Sequence, residues 1–177
     1  LVEGVAESML LPHFIRSKFP ELYQRYITIL GVNGRHAHRL SPLIEKLCLP
    51  TLVITDLDPA EKEGYHKSVV LKRGEGQISG NYAIAKWLMK EKDIDKLVDY
   101  SEDKKEFSFA SPYRFSIRLA YQTPVKVDFE GEEKEAIPGT FEDCLIYTNY
   151  DLFKKIKVTD SGNLVEQTHD LLNSNDT

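Results

Sequence analysis

Thr51-Leu52-Val53-Ile54-Thr55-Asp56-Leu57-Asp58-Pro59 is the stretch on which the fold turns. Its first five residues are β-branched or aliphatic and almost wholly apolar. The run is too short for a helix and lacks the polar alternation of a half-exposed strand. It predicts a strand buried on both faces, as in a parallel sheet. The strand stops at an Asp-x-Asp step closed by Pro59, and period-two alternation would turn Asp56 and Asp58 to the same side.

Outward from that strand, Tyr26-Ile27-Thr28-Ile29-Leu30 predicts a second strand, stopped by Gly31-Val32-Asn33-Gly34. Leu40, Leu43, Ile44 and Leu47 recur at helical spacing between the two strands, and Pro50 ends that helix. The chain opens on Leu1-Val2-Glu3-Gly4, which reads as the end of a third buried strand. With no initiator Met before it, the chain is expected to be a piece of a longer protein. A helical pattern through Met9, Leu10, Phe14 and Ile15 follows, and Pro12 within it predicts a kink or a late start. Leu22 and Tyr23 lie in a second short helical stretch. Strand, helix, strand, helix, strand is the alternation of an α/β fold built on a mostly parallel sheet flanked by helices. In such sheets ligands bind at the carboxyl ends of the strands.

The second half predicts a smaller α+β elaboration. Residues 61–79 are rich in charge and Gly, with a short strand at Val69-Val70-Leu71. A helix from Ala83 to Met89 has Trp87 and Leu88 as core anchors, and Ile94, Leu97 and Val98 mark another. Phe115 to Phe129 alternates as one or two strands. Thr140 caps a helix from Phe141 to Asn149, and the tail from Asn173 frays. The expected division is 1–100 for the sheet core and 101–177 for the elaboration of the same domain.

Composition narrows the function classes. Of 177 residues, 41% are hydrophobic, enough for a core, and the net charge of −5 does not suggest an autonomous duplex binder with a broad basic face. A metal-dependent phosphodiesterase is compatible with that charge, because its site is built of carboxylates whose bound cations reverse the local sign. Cys48 and Cys144 form no CxxC pair and read as reduced thiols. Neither a signal peptide nor an apolar run of about 18 residues is present, so a cytoplasmic setting without membrane contact is expected.

The carboxylates lie at strand ends. Glu3 closes the first strand, and Glu7 follows in the first turns of the next helix. Asp56 and Asp58 close the third. Two strand ends on one edge of a parallel sheet thus each present a carboxylate pair. Mg²⁺ and Mn²⁺ take oxygen ligands, and two such ions about 3.5–4 Å apart serve the attacking and leaving oxygens of a phosphodiester displacement. Taken singly, a Glu at a strand end is more often a cap or a solvated charge, and an Asp-x-Asp is common in loops. Arg35, His36 and Arg39, with His38 among them, make a local basic loop after the second strand, either a DNA phosphate contact or a solvated loop.

These residues resemble the TOPRIM domain shared by topoisomerases, bacterial primases and nucleases of the OLD (overcoming lysogenization defect) family. The shared pattern is Leu1-Val2-Glu3-Gly4, Ile29-Leu30-Gly31 and Ile54-Thr55-Asp56-Leu57-Asp58. Three further stretches resemble the OLD family in particular: Val5-Ala6-Glu7 with Leu10-Leu11-Pro12, Arg118-Leu119-Ala120-Tyr121-Gln122-Thr123-Pro124, and Thr140-Phe141-Glu142-Asp143 followed by Asn149. The resemblance implies a Rossmann-like TOPRIM domain that cuts or nicks DNA by two-metal phosphodiester hydrolysis. It also implies an ATPase domain ahead of it in the full-length protein, allows a homo-oligomer, and suggests defence against phage. Carried over by position, Glu3, Glu7, Asp56, Asp58 and Glu142 are the metal ligands. Glu3 is also a general base, and a Lys beyond the last helix, here Lys155, is a fixed cation beside the developing charge. Glu142 has a second reading, a capping box with Thr140. The family usually carries an Arg where this chain has Gly139. Two alternatives stand beside the nuclease: a primase- or topoisomerase-like TOPRIM module, and a catalytically inactive assembly module.

Overall fold

The computed structural model describes residues 1–62, 69–88, 90–129 and 131–155, the side chain of Lys155 excepted. In chain order its elements are α1 (Val5–Lys18), α2 (Pro20–Tyr23), α3 (Ser41–Leu47), β1 (Thr51–Ile54), β2 (Pro59–Ala60), β3 (Ile78–Ser79), α4 (Tyr82–Trp87), α5 (Ile94–Val98), β4 (Glu106–Phe109), β5 (Phe115–Ala120), β6 (Val125–Phe129), β7 (Glu132–Ala136), α6 (Phe141–Thr148) and α7 (Tyr150–Lys155). Among the described residues, no helix is long and apolar enough to cross a membrane.

The architecture is mixed α/β. β1 pairs in parallel with β5, from Thr51 opposite Ile117 to Ile54 opposite Ala120, and β4 lies antiparallel on the far side of β5. On the free side of β1, Val2 makes parallel bridges to both Ile54 and Gly31. The Ile54 N–H donates to Leu1 O at 2.9 Å, the Val2 N–H to Leu30 O at 3.0 Å, and the Val32 N–H to Val2 O at 2.9 Å. The order across the sheet is therefore Gly31, Val2, β1, β5, β4. This arrangement carries the Glu3 end and the Asp56 end to the same edge.

Burial explains the layers. Val53, Ile117 and Leu119 lie on adjoining strands and are completely buried, together with Ile84 of α4 and Leu97 of α5. α4 begins where the Asn81 side chain accepts from the Ala83 N–H at 2.9 Å, and α5 where Asp93 accepts from the Lys96 N–H. Each cap satisfies a donor that a helix start leaves unpaired. A second, smaller cluster gathers Val127, Phe129 and Ala136 of the β6–β7 hairpin against Ile146, Tyr147 and Tyr150. β4 and β5, which lie beyond residue 100, complete the sheet with β1, and the second cluster is drawn from residues after Val125.

Several local expectations are corrected. Tyr26–Leu30 forms no strand; this edge makes a single bridge at Gly31, and Tyr26 is 99% exposed. Val2 makes the one bridge there, followed by a single bond from the Gly34 N–H to Glu3 O at 3.2 Å, so pairing ends where that short stretch ends. α1 starts at Val5 without delay and continues through Pro12. Val69-Val70-Leu71 is not a strand, since the two-residue β2 pairs with β3 instead. On α3, Ile44 is buried while Leu43 and Leu47 stay exposed. In α1 the buried residue is an acid, Glu7, while Val5 and Met9 face outward.

Candidate active site

The Glu3 carboxylate is fixed through one oxygen. Its Oε2 accepts from the Thr55 hydroxyl, from the Asp56 N–H at 3.3 Å and from Asn81 Nδ2 at 3.2 Å. Thr55 and Asp56 continue directly from β1, so the bridge between Val2 and Ile54 brings Glu3 alongside them. No hydrogen bond reaches Glu3 Oε1 from the described residues.

Asp56 is held from the other direction. Gln122, just past β5, donates to Asp56 Oδ1 through Nε2 and accepts from the Leu57 N–H through Oε1 at 2.9 Å. The Phe141 N–H, in the first turn of α6, also donates to Asp56 Oδ1 at 3.0 Å. The next carboxylate, Asp58, does not follow the pleat expected from strand alternation. β1 ends at Ile54, and Asp58 sits in the left-handed region with φ 49°, which Asp tolerates better than most side chains. Its Oδ2 accepts from Asn81 Nδ2 at 3.1 Å and lies 3.6 Å from Arg35 Nε.

Glu7 lies over Gly4, close enough that a Cβ built on Gly4 would stand 2.6 Å from its Oε2. It is 3% exposed, and no N–H or cation of the described residues pairs with it. A buried carboxylate without a partner is costly unless a positive charge joins it.

The electrostatics follow. The Asp56 carboxyl is pushed up to about 7, first by burial and then by the negative charges of Glu3, Glu7 and Asp58, with the Gln122 hydrogen bond opposing. Asp58 is also raised, mainly by burial, while Arg35 pulls it down. Among the described residues, no group of three or more His, Cys, Asp or Glu side chains is placed so that it could hold a metal ion. Three of the four carboxylates instead have holders of their own: Thr55 and Asn81 for Glu3, Gln122 and the Phe141 amide for Asp56, Asn81 and Arg35 for Asp58. The donor set is nonetheless all oxygen, partly desolvated and mutually repelling, the chemistry that a hard divalent cation matches.

Of the remaining expected site residues, Glu142 is exposed at the start of α6. It does not cap that helix. Thr140 accepts from the Asp143 N–H at 3.2 Å, and Asp143 returns the bond to the Thr140 N–H at 3.1 Å, so the capping box uses Asp143. Arg35 is drawn into the site by Asp58 and by the Gly80 carbonyl at 3.3 Å, while His36 and Arg39 are exposed. The Lys155 side chain lies outside the described residues.

Asn81 and Gln122 are the site residues that sequence reasoning missed. Asn81 is 1% exposed and also reaches Thr55 Oγ1 at 2.8 Å and the Asp56 carbonyl at 2.9 Å. Its two amide hydrogens are thus shared among four acceptors. An Asn ahead of an apolar helical pattern is a cap signal, but that signal carries no hint of the contact to Glu3. Gln122 stood within a stretch noted for its resemblance, without a role.

A mixed α/β sheet with acids gathered at neighbouring strand ends is consistent with a TOPRIM-type domain. Residues 1–58 match the family described as overcoming lysogenization defect protein-like, TOPRIM domain, which confirms the resemblance over the segment carrying Glu3, Glu7, Asp56 and Asp58. The chain is also similar to Endonuclease GajA of Bacillus cereus (strain HuB5-5), with 27% identity over 149 residues, covering 84% of this chain and 19% of that protein. The chain therefore spans about a fifth of the length of this curated relative. No solved structure matches it.

Proposed function

We propose that this chain is the catalytic domain of an OLD-family DNA endonuclease that nicks or cleaves by metal-dependent phosphodiester hydrolysis. The observation that carries the reading is the grouping of Glu3, Glu7, Asp56 and Asp58 at one sheet edge, close enough for three of them to raise the carboxyl of Asp56. The similarity to an endonuclease supports it.

In this reading Glu3, Glu7, Asp56 and Asp58, joined by Glu142 from α6, hold Mg²⁺ or Mn²⁺. The bound ions would neutralise the phosphodiester and acidify a water. Glu3 Oε1, left without a hydrogen bond, takes the proton of the attacking water as the new P–O bond forms and the bond to the leaving oxygen breaks. Asn81 and Thr55 keep Glu3 Oε2 occupied, so the proton is directed to the other oxygen. Gln122 and the Phe141 amide orient Asp56. By the family resemblance Lys155 is the candidate for the cation that would stabilise the developing charge. Arg35, which reaches Asp58, and the exposed His36 and Arg39 of the same loop are the contacts offered to the DNA backbone.

The remaining partner is a second domain of the same polypeptide, an ATPase by resemblance, in a cytoplasmic protein. The relative is about five times longer than the matched segment, and the stretch from Val5 to Tyr26 leaves six large apolar side chains exposed, Val5, Met9, Phe19, Leu22, Tyr23 and Tyr26.

The deciding experiment is cleavage of supercoiled plasmid with Mg²⁺, Mn²⁺, Ca²⁺ or EDTA, beside Glu3→Ala. Metal-dependent nicking that disappears in Glu3→Ala supports the nuclease. A folded full-length protein that never cuts, with or without metal, points to the assembly module.

A further inference from the structure

Three aromatic rings run from the basic loop to the start of α4. The His36 and His38 rings lie 6.4 Å apart, and His38 lies 6.0 Å from the ring of Tyr82. Tyr82 directly follows Asn81, the residue that touches Glu3 and Asp58. Yet Tyr82 is 56% exposed, while Asn81 is buried. One chain step therefore leads from the acidic site to an aromatic ring in solvent. His38 Nδ1 is a buried ring nitrogen without a hydrogen-bond partner among the described residues. Arg35 ties the loop to the site through Asp58 and Gly80, which holds the histidines beside it.

We propose that Tyr82, backed by His38 and His36, is a stacking platform for an unpaired nucleobase next to the scissile phosphodiester, so that the preferred substrate is DNA with a locally unpaired base. This rests on the nuclease reading and deepens it. An exposed aromatic face stacks on any base, independent of sequence. A base still paired within a duplex offers its face only to its stacked neighbours, and must leave the stack to meet a protein ring. Arg35 and Arg39 supply positive charge for the adjoining backbone in a chain that is acidic overall. The platform therefore selects for base exposure, while the carboxylates act on the phosphate.

The test measures binding of fluorescent DNA by the full-length protein in Ca²⁺, with three probes: a single strand, a perfect duplex and a duplex with one bulged base. The wild type is expected to bind the single strand and the bulge more tightly than the duplex. Tyr82→Ala should weaken those two by about five- to a hundredfold, the range of one lost base stack, and leave duplex binding unchanged. Tyr82→Phe should restore the preference. Equal loss on all three probes, or no loss on any, would overturn the platform while leaving the nuclease reading intact. Failure of the wild type to bind any probe would overturn both.

Discussion

Asn81 Nδ2 lies 3.2 Å from Glu3 Oε2, joining residues 78 positions apart. The same amide also meets Thr55, the Asp56 carbonyl and Asp58, so one buried side chain holds three of the segments that form the site. Asn81→Ala should lower stability by about 1–3 kcal/mol, the cost of buried acceptors left without their donor. Asn81→Asp keeps an N-capping oxygen but sets a carboxylate against Glu3 and Asp58. It should retain the helix and lose cleavage. Circular dichroism melts alongside plasmid nicking check both, and an Asn81→Asp protein as active as wild type would remove Asn81 from the site.

The raised Asp56 carboxyl gives the metal-free protein a defined pH dependence. Its folded value is about 7, against an unfolded value of about 3.9. Between the two, the folded chain keeps a proton that the unfolded chain has released, so stability falls as pH rises through that window. In EDTA, Tm should be higher at pH 5 than at pH 8. Asp56→Asn, which cannot ionise, should show a smaller drop. Saturating Mn²⁺ should recover much of the wild-type loss at pH 8. Identical pH profiles for wild type and Asp56→Asn would contradict this account.

Glu142 and Asp143 are adjacent acids with separable roles. Asp143 closes the capping box with Thr140, so Asp143→Ala should cost about 1 kcal/mol in stability. Glu142 is exposed and takes no part in that box, so Glu142→Ala should leave the stability within about 0.5 kcal/mol of wild type. If Glu142 is a metal ligand, its loss removes cleavage at unchanged Tm. Cleavage that survives in Glu142→Ala would take Glu142 out of the ligand set.

Gly4 and Glu7 are packed closely enough to test the latter's place. A Cβ at Gly4 would stand 2.6 Å from Glu7 Oε2, the far end of a flexible side chain. Gly4 has φ −115°, which Ala adopts readily. Gly4→Ala should therefore fold, within about 1 kcal/mol of wild type, but with the Glu7 carboxylate displaced. Cleavage should fall on the order of a hundredfold, the effect of a misplaced catalytic group. Full activity in Gly4→Ala would argue against Glu7 as a ligand.

Legibility in the sequence differed element by element. β1 was readable as a strand because Thr51–Ile54 is short, β-branched and apolar, but burial on both faces is corrected, since Val53 is buried while Leu52 is 47% exposed; the α4, α5 and α6 patterns were readable from helical spacing, with a cap at Thr140 for α6. Tyr26–Leu30 misled because β-propensity says only that a segment fits a sheet, while a strand requires a partner. Val2 supplied one bridge there and no more. The alternation rule also failed at Asp58, since a rule of strand geometry stops where the strand stops. For Glu142, expected as a metal ligand with a capping box as its second reading, the second reading falls to the neighbouring Asp143, a one-residue ambiguity that the backbone geometry resolves.

The sequence by itself determined which acids end the first and third apolar runs, because chain punctuation and hydrophobic burial are local and leave their mark in order along the chain. Only the tertiary structure decided what surrounds those acids. Asn81 and Gln122 reach Glu3 and Asp56 from 78 and 66 positions away. Such contacts depend on which strands pair and where helices start in space, and a hydrogen bond between distant residues leaves no period in the chain to read.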